Sequence, residues 1–353
     1  MRLRGKKLLK IIGIVILCLV VLGVAVLIFY TAREYRPEPI ETLETGTGSK
    51  VLSEGDSFSV LTYNTGYAAL SKEEDFFMDG GSKVQPDNKE VVETNLEGIS
   101  DILINQAADF YFLQEVDIDA KRSFYINERS YYENALAMSS IYACNFKCDF
   151  VPYPVPPIGK VEAGLVTMTN YHVDEAKRIA LAESFAWPIK TCNLKRCMLE
   201  TRIPIEGSDK ELVLINFHLE AYDSGEGKAA QSKMLADKLQ EEYEKGNYVI
   251  AGGDFNQTFE GVDTYEIHDT DSWVPGTVYK KDIPEGFDFA VADNAPTCRL
   301  LNGPYSGNYV DSQVYVIDGY IVSDNLQVDE VQVIDTDFEY TDHQPVSLHV
   351  TLK

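Results

Sequence analysis

Basic residues are scarce in this chain: 31 Lys and Arg stand against 56 Asp and Glu among 353 residues. Five of the 31 (Arg2, Arg4, Lys6, Lys7 and Lys10) precede Ile11, in a stretch with no acid. The part after Tyr30 therefore has 26 basic and 56 acidic residues, a charge of −30. Such a deficit keeps a domain soluble and disfavours broad contact with nucleic acid or anionic lipid, because those contacts neutralise many phosphates at once. It leaves room for a local basic patch. Histidine is rarer still, with five residues, and none accompanies a cysteine pair at zinc-site spacing. Of six cysteines, Cys18 lies in an apolar run, Cys144 and Cys148 form one near pair, Cys192 and Cys197 form another, and Cys298 is odd. In an oxidising space each near pair could close a small loop. No segment recurs at a fixed period, which points to one folded domain with an N-terminal extension.

Long apolar runs are absent too, with one exception. Residues Ile11 to Tyr30 carry no charge, and at about 1.5 Å per residue they span roughly 30 Å of hydrocarbon. The basic residues ahead of them are unopposed, and positive flanks stay cytoplasmic. The expectation is a single-pass anchor in the cell membrane with the rest of the chain outside the cytoplasm. A cleaved signal peptide is the competing reading. Its apolar core is usually shorter, and Phe29-Tyr30-Thr31-Ala32-Arg33 is a poor cleavage site. Thr31 to Lys50, with prolines at 37 and 39 and little to bury, reads as a linker with a random-coil reach of roughly 25 Å. The expected organisation is a basic segment 1–10, an anchor 11–30, a linker 31–50 and a folded domain 51–353.

Within the domain, chemistry collects where apolar runs stop. Tyr248-Val249-Ile250-Ala251 reads as a buried strand, and Gly252-Gly253 lets the backbone turn so that Asp254 and Asn256 share a face at its end. Phe58 to Tyr63 alternates like a strand and delivers Asn64; Asp109 to Gln114 delivers Glu115. A carboxylate that ends a strand buried on both faces needs a partner such as a cation. Met198 to Ile205 and Glu211 to Phe217 predict a hairpin that ends at His218, with its turn at Gly207-Ser208-Asp209. Val314 to Val322 predicts a strand with Asp318 in its middle, and Asp342 and His343 lie in a turn before the last strand. Helical spacing covers Asn88 to Gln106 and Glu226 to Glu244, and the proline-rich stretch Val151 to Pro157 reads as an extended surface loop. His172 and His268 lie in polar loops and read as solvated, and His349 reads as packed; Trp187 and Trp273 stay open between core and rim. Together the strand-end residues supply oxygen ligands for a hard cation, a carboxylate–histidine pair and neutral donors for an anion. That is an inventory for metal-assisted phosphoester hydrolysis.

Six short motifs in order, Thr62-Tyr63-Asn64, Leu113-Gln114-Glu115-Val116, Asn216-Phe217-His218-Leu219, Gly253-Asp254-Phe255-Asn256, Ile317-Asp318-Gly319-Tyr320 and Thr341-Asp342-His343-Gln344-Pro345, give the chain its resemblance to a known family. Over about residues 55 to 353 it resembles the endonuclease/exonuclease/phosphatase superfamily, the deoxyribonuclease I-like fold. The resemblance implies a four-layer αββα sandwich of two mixed sheets and a Mg²⁺-dependent phosphoester hydrolase, with Mn²⁺ or Ca²⁺ as substitutes. It implies Glu115 as the main metal ligand, with Asn64 and Asp342 completing the surroundings. His343 would be hydrogen-bonded to Asp318, and either His343 or Asp254 would be the base. Asn256 would hold the phosphate and His218 would stabilise the leaving oxygen. By the same resemblance Glu162 would orient His218 and Arg196 would contact the phosphate. Arg299, between two of the motifs, could reach a substrate phosphate, with a surface salt bridge as the alternative. Thr341 stands where Ser is usual and Gly319 follows Asp318; neither change removes a reacting group. The expected substrate is a lipid head group or a small phosphodiester. A surface nuclease and a catalytically silent binding member are the alternatives, and no protein partner is implied.

Overall fold

A computed structural model describes residues 2–223, 225–262, 265–270 and 272–353. The first helix, α1 (Arg2–Arg33), contains the apolar run; Lys6–Arg33 is long and apolar enough to cross a membrane, with none of its most apolar stretch buried in the protein. The strands of the two large sheets are β1 (Ile40–Thr42), β2 (Leu52–Ser53), β3 (Ser57–Asn64), β4 (Phe110–Asp117), β5 (Ser140–Val151), β6 (Gly159–Thr169), β7 (Glu175–Ala180), β8 (Cys197–Glu206), β9 (Glu211–His218), β10 (Tyr248–Asp254), β11 (Phe287–Ala290), β12 (Asp318–Ser323), β13 (Leu326–Val333) and β14 (Val346–Leu352). One mixed sheet runs β1-β7-β8-β9-β10-β12-β11, with β2 added to β8, and the other runs β13-β14-β3-β4-β6-β5. Only β9–β10 and β3–β4 are parallel pairs inside these two paths.

Alternation along each strand sorts the side chains into layers. Val60, Phe112, Leu199, Leu214, Ile250 and Leu348 fill the space between the sheets. Leu61, Tyr63, Tyr111 and Leu113, on the opposite face of β3 and β4, pack on α2 (Lys89–Gln106) through Val92, Leu96, Ile99 and Leu103, in one cluster with Tyr132 of α3 (Glu128–Leu136). Val213, Ile215, Val249 and Ala251 pack on Leu235 and Leu239 of α4 (Glu226–Glu244). Both sheets are thus covered on both faces, which is why their central strands read as near-continuous apolar runs. The result is the αββα sandwich expected from the motifs. The Asn88 side chain caps α2 at Val91 N, and Gly246, with φ +80°, follows α4 as its terminator.

Several expectations fail here. Residues 31–50 are not a free coil. The helix continues to Arg33, Glu34 is buried against Lys195 (2.8 Å), and Ile40–Thr42 pairs antiparallel with β7 as an edge strand. Its three ladder positions were hidden in the sequence because an edge strand needs little apolar content. Asp318, in turn, opens its strand and does not sit inside one. The run breaks at Val316–Ile317 because the Thr297 hydroxyl takes the amides of Ile317 (2.9 Å) and Asp318 (3.0 Å). His349, expected to be packed, is exposed, because alternation along β14 gives the buried face to Leu348 and Val350; the loop residues His172 and His268 are exposed as expected. The cysteines are free, and the near pairs do not close loops. Cys148 on β5 lies against Cys192, and Cys298 is buried beside His343.

Polar links set the two sheets in register. The Tyr320 hydroxyl, from β12, accepts the amide of Thr62 (2.7 Å) and lies 2.7 Å from the Val346 carbonyl and 3.0 Å from that of Val60. Gln114 Nε2 on β4 donates to Asn216 Oδ1 on β9 at 2.8 Å. Gly252 leaves room for the Tyr320 ring, which would lie 2.4 Å from a Cβ there. Tyr320→Phe strands the buried Thr62 amide, so the full-length chain in detergent should lose about 1–3 kcal/mol of stability. A lowered urea midpoint with unchanged slope checks this; an unchanged midpoint would show that the hydroxyl holds nothing.

Candidate active site

The register brings six strand ends to one edge. Asp254 closes β10 directly across from His218 on β9 and from Asp318 on β12. Gly253, with φ +149°, is required: a Cβ there would lie 1.9 Å from the Phe217 carbonyl oxygen. From the other sheet come Asn64 at the end of β3 and Glu115 at a bulge in β4. The bulge gives Glu115 a left-handed backbone (φ +55°) and turns its carboxylate out of the ladder into the cleft. The turn carrying Asp342 and His343 is pinned by backbone bonds from Arg299 N to Asp342 O (2.9 Å) and from Gln344 N to Thr297 O (2.7 Å).

His343 Nδ1 donates to Asp318 Oδ2 at 2.8 Å. Its Nε2 lies 3.7 Å from Asp254 Oδ2, and His218 Nε2 lies 3.3 Å from the same oxygen, so one carboxylate stands between two imidazoles. Asn64 organises the centre: its Nδ2 donates to Asp254 (3.0 Å) and Glu115 (3.2 Å), and its Oδ1 accepts from Gly66 N. The backbone amide of Asn256 donates to Asp254 Oδ1 (2.8 Å), and its side-chain amide donates to the Leu219 carbonyl (2.8 Å), which uses one of its two hydrogens.

Burial acts on all four titrating groups, and neighbours decide the outcome. Burial opposes the charged form of His343, but the Asp318 carboxylate outweighs it and raises the imidazole well above its usual value. Burial, reinforced by the charges of Arg196 and His343, pushes His218 well below it. Burial and the Asp318 charge raise Asp254 to about 6, and burial and the Glu115 charge raise Asp342 to about 7. The nearby Arg122 does not offset these acids, because its guanidinium is taken by Asp117 (2.9 Å) and lies under the Tyr67 ring. The cluster is therefore short of positive charge. Asp318 Oδ1 and His218 Nδ1 are buried without a hydrogen-bond partner among the described residues. Carboxylates gathered with a histidine fit a divalent cation: Asp254, Asp318 and His343 bring ligand atoms within 4.8 Å of one another, Asp342 does so with His343 and Cys298, and Glu115 would add a further carboxylate.

Three sequence expectations are corrected. Glu162 is paired with Lys147 (2.8 Å) across the β5–β6 edge and does not orient His218. Alternation is the reason, since Val161 and Ala163 take the buried face of β6 and Glu162 the other. Arg299 is 1% exposed and donates to the carbonyls of Ser71, Glu74 and Gly303, so it braces the 71–74 loop and reaches no phosphate. Arg196 is also buried. Its Nε pairs with Glu220 (3.3 Å) and its Nη1 donates to the His218 carbonyl (3.1 Å), so it positions His218 from behind. Sequence reasoning missed Lys228, in the first turn of α4, whose Nζ lies on the Asn256 carbonyl (3.2 Å) and whose affinity for a proton is lowered by burial. It also missed Asp79, bonded to the Tyr222 hydroxyl at 2.7 Å. No motif surrounds either one; only the chain path brings them here.

No family model and no curated protein matches the chain. Solved structures do. An endonuclease/exonuclease/phosphatase protein from Beutenbergia cavernae superposes with a TM-score of 0.58 at 16% identity, covering 84% of this chain and 72% of that one. One from Bacteroides vulgatus gives 0.54 at 14% identity, over 84% and 100% of the two chains. Truncated Caenorhabditis elegans TDP2 gives 0.50 at 16% identity, over 85% and 99%. The chain has the endonuclease/exonuclease/phosphatase superfamily fold.

Asp318→Asn removes the charge that outweighs burial at His343. In the metal-free protein the His343 pKa should fall from its raised value, read from the imidazole proton shift against pH in NMR. A pKa that stays raised would mean that Asp318 is not its cause.

Proposed function

We propose that the chain is a membrane-anchored, metal-dependent phosphoester hydrolase whose catalytic domain lies outside the cytoplasm and acts on a compact phosphodiester. The observation that carries this reading is Asp254 standing between His218 and His343, with Asn64 Nδ2 joining it to the Glu115 carboxylate. A divalent cation such as Mg²⁺ would supply electrophilic activation of a phosphoryl oxygen and neutralise its charge. Asp254, buried and raised toward neutrality, is suited to take a proton from an attacking water at Oδ2. His343 is held as a cation by Asp318 and so does not act as the base; it offsets the charge that develops on the phosphoryl oxygens. The neutral His218 lies on the other side of Asp254, where it can donate to the leaving oxygen from Nε2. The second amide hydrogen of Asn256 remains for the phosphate. The unopposed basic residues before Ile11 support the outward placement of the domain. The −30 charge supports a small ester over a long polyanion.

Purified full-length chain should hydrolyse bis(nitrophenyl) phosphate only with a divalent cation, and EDTA should abolish turnover until Mg²⁺ is restored. Glu115→Gln should lower kcat at saturating Mg²⁺ by on the order of 10²–10³-fold, the equivalent of a few kcal/mol. Near-normal turnover in that variant would sink the ligand assignment. Efficient nicking of plasmid DNA without turnover of small diesters or phospholipid would make the protein a surface nuclease.

A further inference from the structure

The first helix does not leave the domain on a free stalk. Arg33 pairs with Asp149 (2.6 Å), Glu34 is buried on Lys195 (2.8 Å), and Trp187 Nε1 donates to Thr31 Oγ1 (3.0 Å). Trp187 shares an open hollow of about 570 Å³ with Val24, Leu27, Ile28 and Arg36. Leu27 lies six residues before Arg33, about 9 Å down the helix axis, and Val24 lies about 13 Å down. Where Ile11–Tyr30 fills the hydrocarbon layer, an indole at this level stands at its outer boundary, the depth at which tryptophan concentrates in membrane proteins. Its surroundings are apolar and open. Trp187 is 53% exposed, Ile189 62% and, on the adjoining β5–β6 hairpin, Tyr153 67% and Val155 95%. Singly such residues need no explanation, but Trp187 stands against the apolar helix at its exit, and the Arg33–Asp149 pair ties β5, which leads into the hairpin tip, to the same exit.

The same segment reaches the catalytic cleft. Lys195 holds Glu34 at the helix exit, and its chain neighbour Arg196 holds the His218 carbonyl. The hairpin reaches it as well. Tyr153 packs edge-on against Phe77 (5.5 Å), and Asp79 two residues later is bonded to Tyr222 beside the site. Resting on the anchor and hydrolase readings above, we propose that Trp187, Ile189 and the hairpin tip Tyr153–Val155 seat in the outer leaflet and hold the cleft against the head groups. The substrate is then the phosphodiester of a membrane lipid, taken from the bilayer surface. The negative domain makes this seat apolar and not ionic, so a zwitterionic bilayer satisfies it.

The test uses the full-length chain in phosphatidylcholine vesicles whose acyl chains are brominated near the head group. The chain has two tryptophans. Emission should be quenched in the wild type and not in Trp187→Phe, where Trp273 alone remains; equal quenching in both would overturn the seat. Alkaline extraction reports on the anchor separately. A chain that washes off refutes the anchor reading, whereas an anchored chain with unquenched Trp187 refutes the seat alone. Trp187→Ser with Ile189→Ser should lower hydrolysis of vesicle phospholipid about tenfold and leave hydrolysis of soluble bis(nitrophenyl) phosphate unchanged. Equal losses on both substrates, no loss on vesicles, or a wild type that cleaves only the soluble ester would overturn the docking role. A wild type that cleaves neither refutes the hydrolase reading, and the quenching result still decides the seat.

Discussion

The site depends on how two sheets are held against each other. Asn64, Glu115 and the Asp342–His343 turn belong to one sheet, and His218, Asp254 and Asp318 belong to the other. Apolar packing between the sheets is non-directional and would tolerate sliding. The Tyr320 hydroxyl on the backbone of β3 and β14, and the Gln114–Asn216 pair between β4 and β9, do not. Buried polar bonds of this kind have a single satisfied arrangement, and leaving one unmade costs more than making it gains. Fixing the sheets fixes the distances across them, from Asp254 to Asn64 (3.0 Å) and to His343 (3.7 Å).

The same constraint explains the electrostatics. Strand ends from both sheets converge, so carboxylates meet at an edge that water reaches poorly. Asp254, Asp318 and His343 place ligand atoms within 4.8 Å of one another. Burial alone would neutralise every group there, yet the two histidines are driven in opposite directions, because His343 is hydrogen-bonded to Asp318 whereas His218 feels the charges of Arg196 and His343. Identical side chains thus take different protonation states from the neighbours that their strands provide. The excess acid is balanced neither by Arg122 nor by Arg299, each of which is already bound within the protein. A bound cation would balance it further.

Much of this was legible in the sequence, for physical reasons that also mark where reading fails. The central strands are apolar on both faces and end in Asn64, Glu115, His218 and Asp254, so their boundaries and their chemistry coincide. The edge elements gave no such signal. Ile40–Thr42 and Glu175–Ala180 form strands with little apolar content, and Ser140–Val151 mixes Asn, Lys and Asp into its ladder. The break before Asp318 depends on Thr297, some twenty residues upstream, and no local pattern could show it. Glu162, Arg196 and Arg299 were misplaced for a related reason. A charged residue near a motif is close in sequence, but which way its strand turns the side chain is settled by register. The side chains of Lys228 and Asp79 reach the site only through the fold.

The position of β14 bears on how the protein is made. It lies between β13 and β3, and β3 emerges from the ribosome nearly the whole domain earlier. Until β14 arrives, β3 has an unpaired edge, and one wall of the cleft, with His343, is missing. During vectorial synthesis the nascent sandwich therefore stays open along that seam, however early its parallel pair β3–β4 can form. Pairings that span such a separation close slowly and leave strand edges liable to the wrong partner. A chain delivered through a membrane would meet this interval already tethered at its other end, with its reactive groups still apart.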